Sequence, residues 1–253
     1  MPPLDSLGKT RELKMRFAIT AVSLMVGLGV LAGAASAQSP SSNPGAPTLD
    51  DLERAVDSLP TGRIERPESY DSMTAEQQRY LEGVLGGPRS AVSGPLVVML
   101  ASPALGDLAQ RAMAYARFAG TEGFSSVPPK LNELAILMAA RTWSSPYVWE
   151  AHDRYSVRVE LPPALVEAIR TGTAPPADLE PDVEAVYAFL DELLRNRQVT
   201  DATFEAARTA LGGDRQLVDL VGTFAIYQMS AMLTAVDRTG LEDGDHPVLR
   251  PLE

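Results

Sequence analysis

The chain has 253 residues, 45% hydrophobic and 22% charged, with 22 basic and 33 acidic side chains and a formal net charge of −11. This is the composition of a globular protein with one sizeable core. Cysteine is absent and histidine occurs only at His152 and His246, which excludes disulfides, thiol peroxidases, zinc ribbons, iron–sulfur clusters, cysteine nucleophiles and a three-histidine metal site within one chain.

Residues 9–16 are basic on balance, and an apolar run follows from Phe17 to Ala34. Ala35-Ser36-Ala37 then supplies the small-x-small pattern of a signal-peptidase site, and the chain turns polar at Gln38. Residues 1–37 are therefore expected to be a cleaved secretory signal that directs the protein to the periplasm or outside. The alternative is an uncleaved membrane anchor, because the apolar run is close to spanning length. Met15 is an alternative start to Met1. Cleavage moves the net charge from −11 to −13, a sign that repels nucleic acid and anionic lipid. Neither nucleic-acid binding nor stable membrane insertion of the mature chain is expected.

Residues 38–62 read as a disordered leader with a short amphipathic helix over Asp50–Leu59, broken by Pro60-Thr61-Gly62. Residues 63–253 read as one helical-bundle domain of about seven to eight helices. Thr74 to Gln77 form a capping box, followed by Tyr80, Leu81, Val84 and Leu85 on one face. Val97 to Leu100 is the best strand candidate and too short for a sheet. Pro103 opens a second helix, with Leu105, Leu108, Ala112, Met113 and Ala116 expected inside. A third spans about Lys130–Thr142, a fourth Tyr147–Val159, and a fifth runs from Pro163 to Gly172. Pro181 starts a sixth, with Val186, Phe189, Leu190, Leu193 and Leu194 as its stripe. A seventh begins at Thr200 and ends at Gly212-Gly213. The last, about Arg215–Arg238, is apolar around most of its circumference. It either runs through the bundle or packs on another subunit.

The segment from Asn132 to His152 concentrates the chemistry. Glu133 lies inside an apolar helix, and after a break the next helix carries His152. His152 suits acid–base chemistry near neutral pH, with Glu133 to orient it or shuttle its proton. Ser145 and Tyr147 are candidate hydrogen-bond donors to a substrate oxygen, Arg141 a candidate carboxylate ligand, and Trp149 a wall. The alternative for each is structural: a paired surface charge, a satisfied histidine, or core aromatics. No metal site is expected, since His152, Glu133 and Asp153 lack a third strong ligand. His246 reads as a tail residue.

This stretch resembles the carboxymuconolactone decarboxylase / alkylhydroperoxidase-D-like family. The family pattern is a Glu, eleven residues, a Cys, two residues, a second Cys, three residues and a His. Glu133 and His152 stand at its ends, while Ser145 and Val148 occupy the Cys positions. The decarboxylase-like branch is the closer match, through "ELAILMAAR" and "SPYVWEAH". The likeness extends from Gly94-Pro95 and "SPAL" to the apolar last helix with Tyr227, covering roughly residues 65–238. It implies an alkylhydroperoxidase-D-like bundle, a homo-oligomer, and cofactor-independent decarboxylation or related proton transfer on a small carboxylated or lactone-type metabolite. Glu133 and His152 would be its catalytic residues. Without the Cys pair, the peroxidase activity of the other branch is not expected. A non-catalytic binding or scaffold protein of the same fold is the alternative.

Overall fold

Proline at the first turn and glycine past the last one punctuate this chain, and the helices fall between those marks. A computed structural model describes residues 45–240 and Leu249; the expected signal peptide, the start of the leader and His246 lie outside the described residues. Among the described residues there are ten α-helices, one short 3-10 turn and no strand. They are α1 (Leu49–Asp57), α2 (Ala75–Leu85), α3 (Pro95–Val98), α4 (Pro103–Arg117), α5 (Pro129–Thr142), α6 (Pro146–Arg158), α7 (Pro163–Thr171), α8 (Pro181–Asn196), α9 (Asp201–Leu211) and α10 (Asp214–Asp237).

The caps explain most of these boundaries. Thr48 and Asp51 close a capping box on α1, and Thr74 and Gln77 close one on α2. Proline stands in the first turn of α3 to α8, where its missing N–H costs nothing. Gly172 and Gly212 end α7 and α9 in the left-handed conformation.

Two expectations need correction. The strand candidate is helical, which brings the described part of the domain from residue 63 onward to nine α-helices, α2 to α10, in place of the expected seven to eight: Val97 and Val98 complete α3, and Met99–Ala101 form the 3-10 turn. All four residues from Val97 to Leu100 are buried. A short run buried on every side has no period by which a strand differs from a helical turn, and Pro95 in the first turn decides for helix. The second concerns α4, where Leu105, Leu108 and Ala112 are exposed, Leu108 at 69%. The inner face is Gly106, Ala109, Gln110, Met113, Ala114 and Ala116. Gly106 faces inward because α4 lies close against α2 and the 3-10 turn. A Cβ on Gly106 would meet the Tyr80 ring at 2.8 Å and Met99 Cβ at 3.1 Å.

Two apolar clusters form the core. One gathers side chains of α1 to α4, including Leu52, Val56, Tyr80, Leu81, Leu96 and Met113. The larger is built from α5 to α10, with Leu134, Leu137, Trp149, Leu165, Leu190 and Leu220 among its members. Ile226 on α10 packs against both. By length and composition α10 is apolar enough to cross a membrane. Here it packs against α3, α4, α5, α6 and α9, yet Val218 and Val236 remain exposed on its outer side.

Gly94 connects the two halves of this frame. It precedes α3 at φ 56 and ψ −129, a conformation in which side chains with a Cβ are strained. A Cβ there would also lie 2.6 Å from Cε1 of Tyr147 at the start of α6. Gly94→Ala is therefore expected to destabilise the protein by about 1–3 kcal/mol, read as a lower midpoint in chemical denaturation.

Candidate functional site

From Leu131 to Arg141, all eleven consecutive residues of α5 are buried. Such a helix has no solvent face, so every polar side chain on it needs an internal partner. Asn132 finds two: its amide donates to the Ala116 carbonyl at 3.1 Å, and its oxygen accepts from Thr223 Oγ1 at 3.0 Å. Glu133 finds His152.

The local chain path makes that meeting possible. Ser144 takes a positive φ of 44°, and the Ser145 N–H bonds to the Ala140 carbonyl at 2.9 Å. Ser145 then caps α6 by accepting from the Val148 N–H at 3.4 Å. The chain turns back and α6 packs along α5. His152, two turns into α6, faces Glu133. Nδ1 of His152 lies 2.6 Å from Oε1 of Glu133, with the two residues 5% and 4% exposed.

Aromatic rings and guanidinium groups surround the pair. The Tyr227 ring on α10 meets the His152 ring edge-on at 4.9 Å, and the Tyr155 ring lies at 5.8 Å. The Arg117 guanidinium, at the end of α4, sits 4.2 Å over the Tyr155 ring. Arg89, in the loop between α2 and α3, sits 5.9 Å from the Phe118 ring, and its Nε is buried without a hydrogen-bond partner. Neither arginine forms an ion pair among the described residues.

This environment sets the protonation states. Burial holds the His152 imidazole below its ordinary range; Glu133 pulls it back up, and the charges of Arg117 and Arg154 push it down again. The neutral form of His152 is thereby favoured, and in the tautomer that carries its proton on Nδ1 it donates to Glu133 Oε1 and leaves Nε2 as the basic nitrogen. Burial raises the Tyr227 hydroxyl to about 12, although Arg117 opposes this. Burial also pulls the Arg117 guanidinium down, and Tyr227, Glu133 and Tyr155 together more than offset it.

Of the six residues singled out from the sequence, the structure brings Glu133 and His152 together. Arg141 lies eight residues beyond Glu133 on α5, about 12 Å along the axis. It donates to Ser144 Oγ at 2.7 Å and has Arg170, not the pair, as its charged neighbour. The Ser145 hydroxyl is engaged in the α6 cap. Tyr147 lies against Gly94, with its hydroxyl bonded to Ser93. Trp149 belongs to the larger apolar cluster. The cations that act on His152 are Arg117 and Arg154, and Arg89 acts on Tyr227 beside it; the sequence pattern singled out none of the three. Arg117 carried a signal, standing four residues after the buried Met113 on the inner face of α4. Arg89 carried none, since its Gly-Gly-Pro-Arg loop has no period.

No protein-family model matches the chain, and no curated protein matches it.

The depressed His152 value has a consequence for stability. An unfolded histidine titrates near 6.5, so below that pH the unfolded chain binds the proton before the folded one does. Stability therefore falls as pH drops through about 6.5 toward the folded value. Between pH 7.5 and 5, the wild type is expected to lose more unfolding free energy than His152→Asn, measured by denaturant titration at both pH values.

Proposed function

We propose that this protein is a decarboxylase-like enzyme on an alkylhydroperoxidase-D-like helical bundle, working without a cofactor by proton transfer on a small carboxylated or lactone-type metabolite. The observation that carries this reading is the 2.6 Å bond between two buried side chains, Glu133 and His152, nineteen residues apart. A neutral imidazole anchored through Nδ1 offers Nε2 for proton exchange, and the carboxylate stabilises the imidazolium that forms. In a decarboxylation the substrate loses carbon dioxide, its bonding electrons remain as an enolate, and one proton from solvent is delivered by His152 to carbon. Export after removal of residues 1–37 and assembly into a homo-oligomer belong to the same reading. Val218, Val221, Met232 and Val236 leave an apolar outer side on α10 that suits a subunit contact. The chain contains no Cys, so no thiol can support peroxide reduction.

A non-catalytic binding protein of the same fold is the second reading. The enclosure of the pair favours it, since both residues are less than a tenth exposed.

The two readings separate on turnover of an unsaturated γ-lactone acid in D2O, followed by carbon dioxide release and deuterium incorporation at carbon. Glu133→Gln and His152→Asn should each lower the wild-type rate by about 10²-fold or more. Turnover equal to wild type in both variants, or none by the wild type, would end the enzymatic reading.

A further inference from the structure

α1 lies across the loop between α2 and α3, with a cavity of about 260 Å³ between them. That is roughly nine times the volume a water molecule occupies in the liquid, enough for a small organic acid. Asp51, Arg54, Ser58, Leu85, Arg89 and Ser90 are among its lining residues. Arg54 is paired with Asp51 at 3.0 Å. Arg89 is therefore the cation on this wall without a carboxylate partner among the described residues.

Three observations point inward from Arg89. Its Nε is buried with no acceptor, and an unmet buried donor costs about 1–3 kcal/mol, more when charged. Its guanidinium lies beside Phe118, the residue next to Arg117. Arg117 in turn covers Tyr155, which stands beside His152. The two arginines act on the same Tyr227 hydroxyl and repel one another. The one carboxylate that faces this group from α5 is Glu133, and its Oε1 is bonded to His152. Glu133 acts on Arg117, whereas the charged group that acts on Arg89 is Arg117 itself, a repulsion. A ligand carrying one negative charge balances the group and supplies the acceptor that Arg89 lacks. The planar fork of a guanidinium matches a carboxylate in both spacing and charge.

We propose that the cavity beneath α1 is the entrance to the site, and that Arg89 and Arg117 together hold the carboxylate of a small organic acid beside Tyr227 and His152. The reaction assigned to that acid rests on the acid–base reading of Glu133 and His152, whereas the binding does not.

The test uses the full-length protein and 4-oxopentanoate, a carboxylate that also carries a ketone, with its methyl ester as the uncharged counterpart. Both are titrated while ligand NMR line widths are followed. The acid should bind at least tenfold more tightly than the ester. Arg89→Gln should remove that difference, Arg89→Lys should keep part of it, and Arg195→Gln, an exposed partner of Asp191, should keep all of it. Equal binding of acid and ester by the wild type overturns the proposal without requiring any variant to fold. Unchanged affinity in a folded Arg89→Gln protein overturns it as well. Glu133→Gln distinguishes the two readings, because the acid site predicts retained binding there and the acid–base reading predicts lost lactone turnover. Retained binding with unchanged turnover leaves the acid site standing and ends the reaction, while lost binding in Glu133→Gln overturns the acid site.

Discussion

A helix with no exposed face imposes the constraint on which the other elements depend. α5 is enclosed from Leu131 to Arg141, and its polar side chains cannot turn to water. Each one fixes a neighbour instead. Asn132 ties the end of α4 through the Ala116 carbonyl and α10 through Thr223. Glu133 ties α6 through His152. Arg141 ties the turn that begins α6 through Ser144. Apolar packing would tolerate several rotations of α5, since Leu134, Ile136, Leu137 and Met138 project on different sides. The polar partners select one, because a buried amide or carboxylate without its partner costs more than a poor apolar contact.

The same constraint explains why the charged group around His152 is hard to account for as a folding device. Paired charges inside a protein are often no better for stability than well-packed apolar residues of similar volume. Here the balance is worse than a pair. Arg117 is influenced by Glu133 and Tyr227 but forms no ion pair among the described residues, and Arg89 adds a second positive charge nearby. Burial and the charges of Arg117 and Arg154 favour the neutral form of His152. A neutral imidazole oriented by a carboxylate is the state in which histidine works as a base. Stability alone gives no reason for this arrangement; the proposed proton transfer on an anion would give one.

The parts legible in the sequence were those that local physics determines. Thr74 with Gln77 marks the start of α2 because a hydroxyl and an amide three residues apart satisfy each other's backbone donors. Proline and glycine mark the other ends for similarly local reasons. The Glu133–His152 meeting was legible because α5, a short turn and α6 form a hairpin, so the sequence interval constrains the spatial one. Arg89 reaches the same region from a loop that precedes Glu133 by more than forty residues, and no local pattern records that approach. The inner face of α4 was misjudged for a related reason. Leu105 and Leu108 are the more apolar residues, but Tyr80 and Met99 leave no room for a side chain at position 106, so the face that carries Gly106 turns inward. Closeness of packing, not hydrophobicity, chose the face.

Enclosure of the pair and access to it are compatible because the elements around it are unequally anchored. α5 is buried along eleven residues, whereas α1 contributes Leu52 and Val56 to the core. At about 1.5–3 kcal/mol for each fully buried aliphatic side chain, the apolar hold on α1 is on the order of 3–6 kcal/mol. Lifting α1 breaks no polar contact to α5, α6 or α10, since its capping box and the Arg54–Asp51 pair are internal to it. Withdrawing α6 would instead separate Glu133 from His152 and uncover Trp149. Local opening follows weakly held contacts, and α1 is held by fewer buried side chains than α5 or α6, with Arg89 on the wall beneath it. A route through α1 can open while the pair that would carry the chemistry stays assembled.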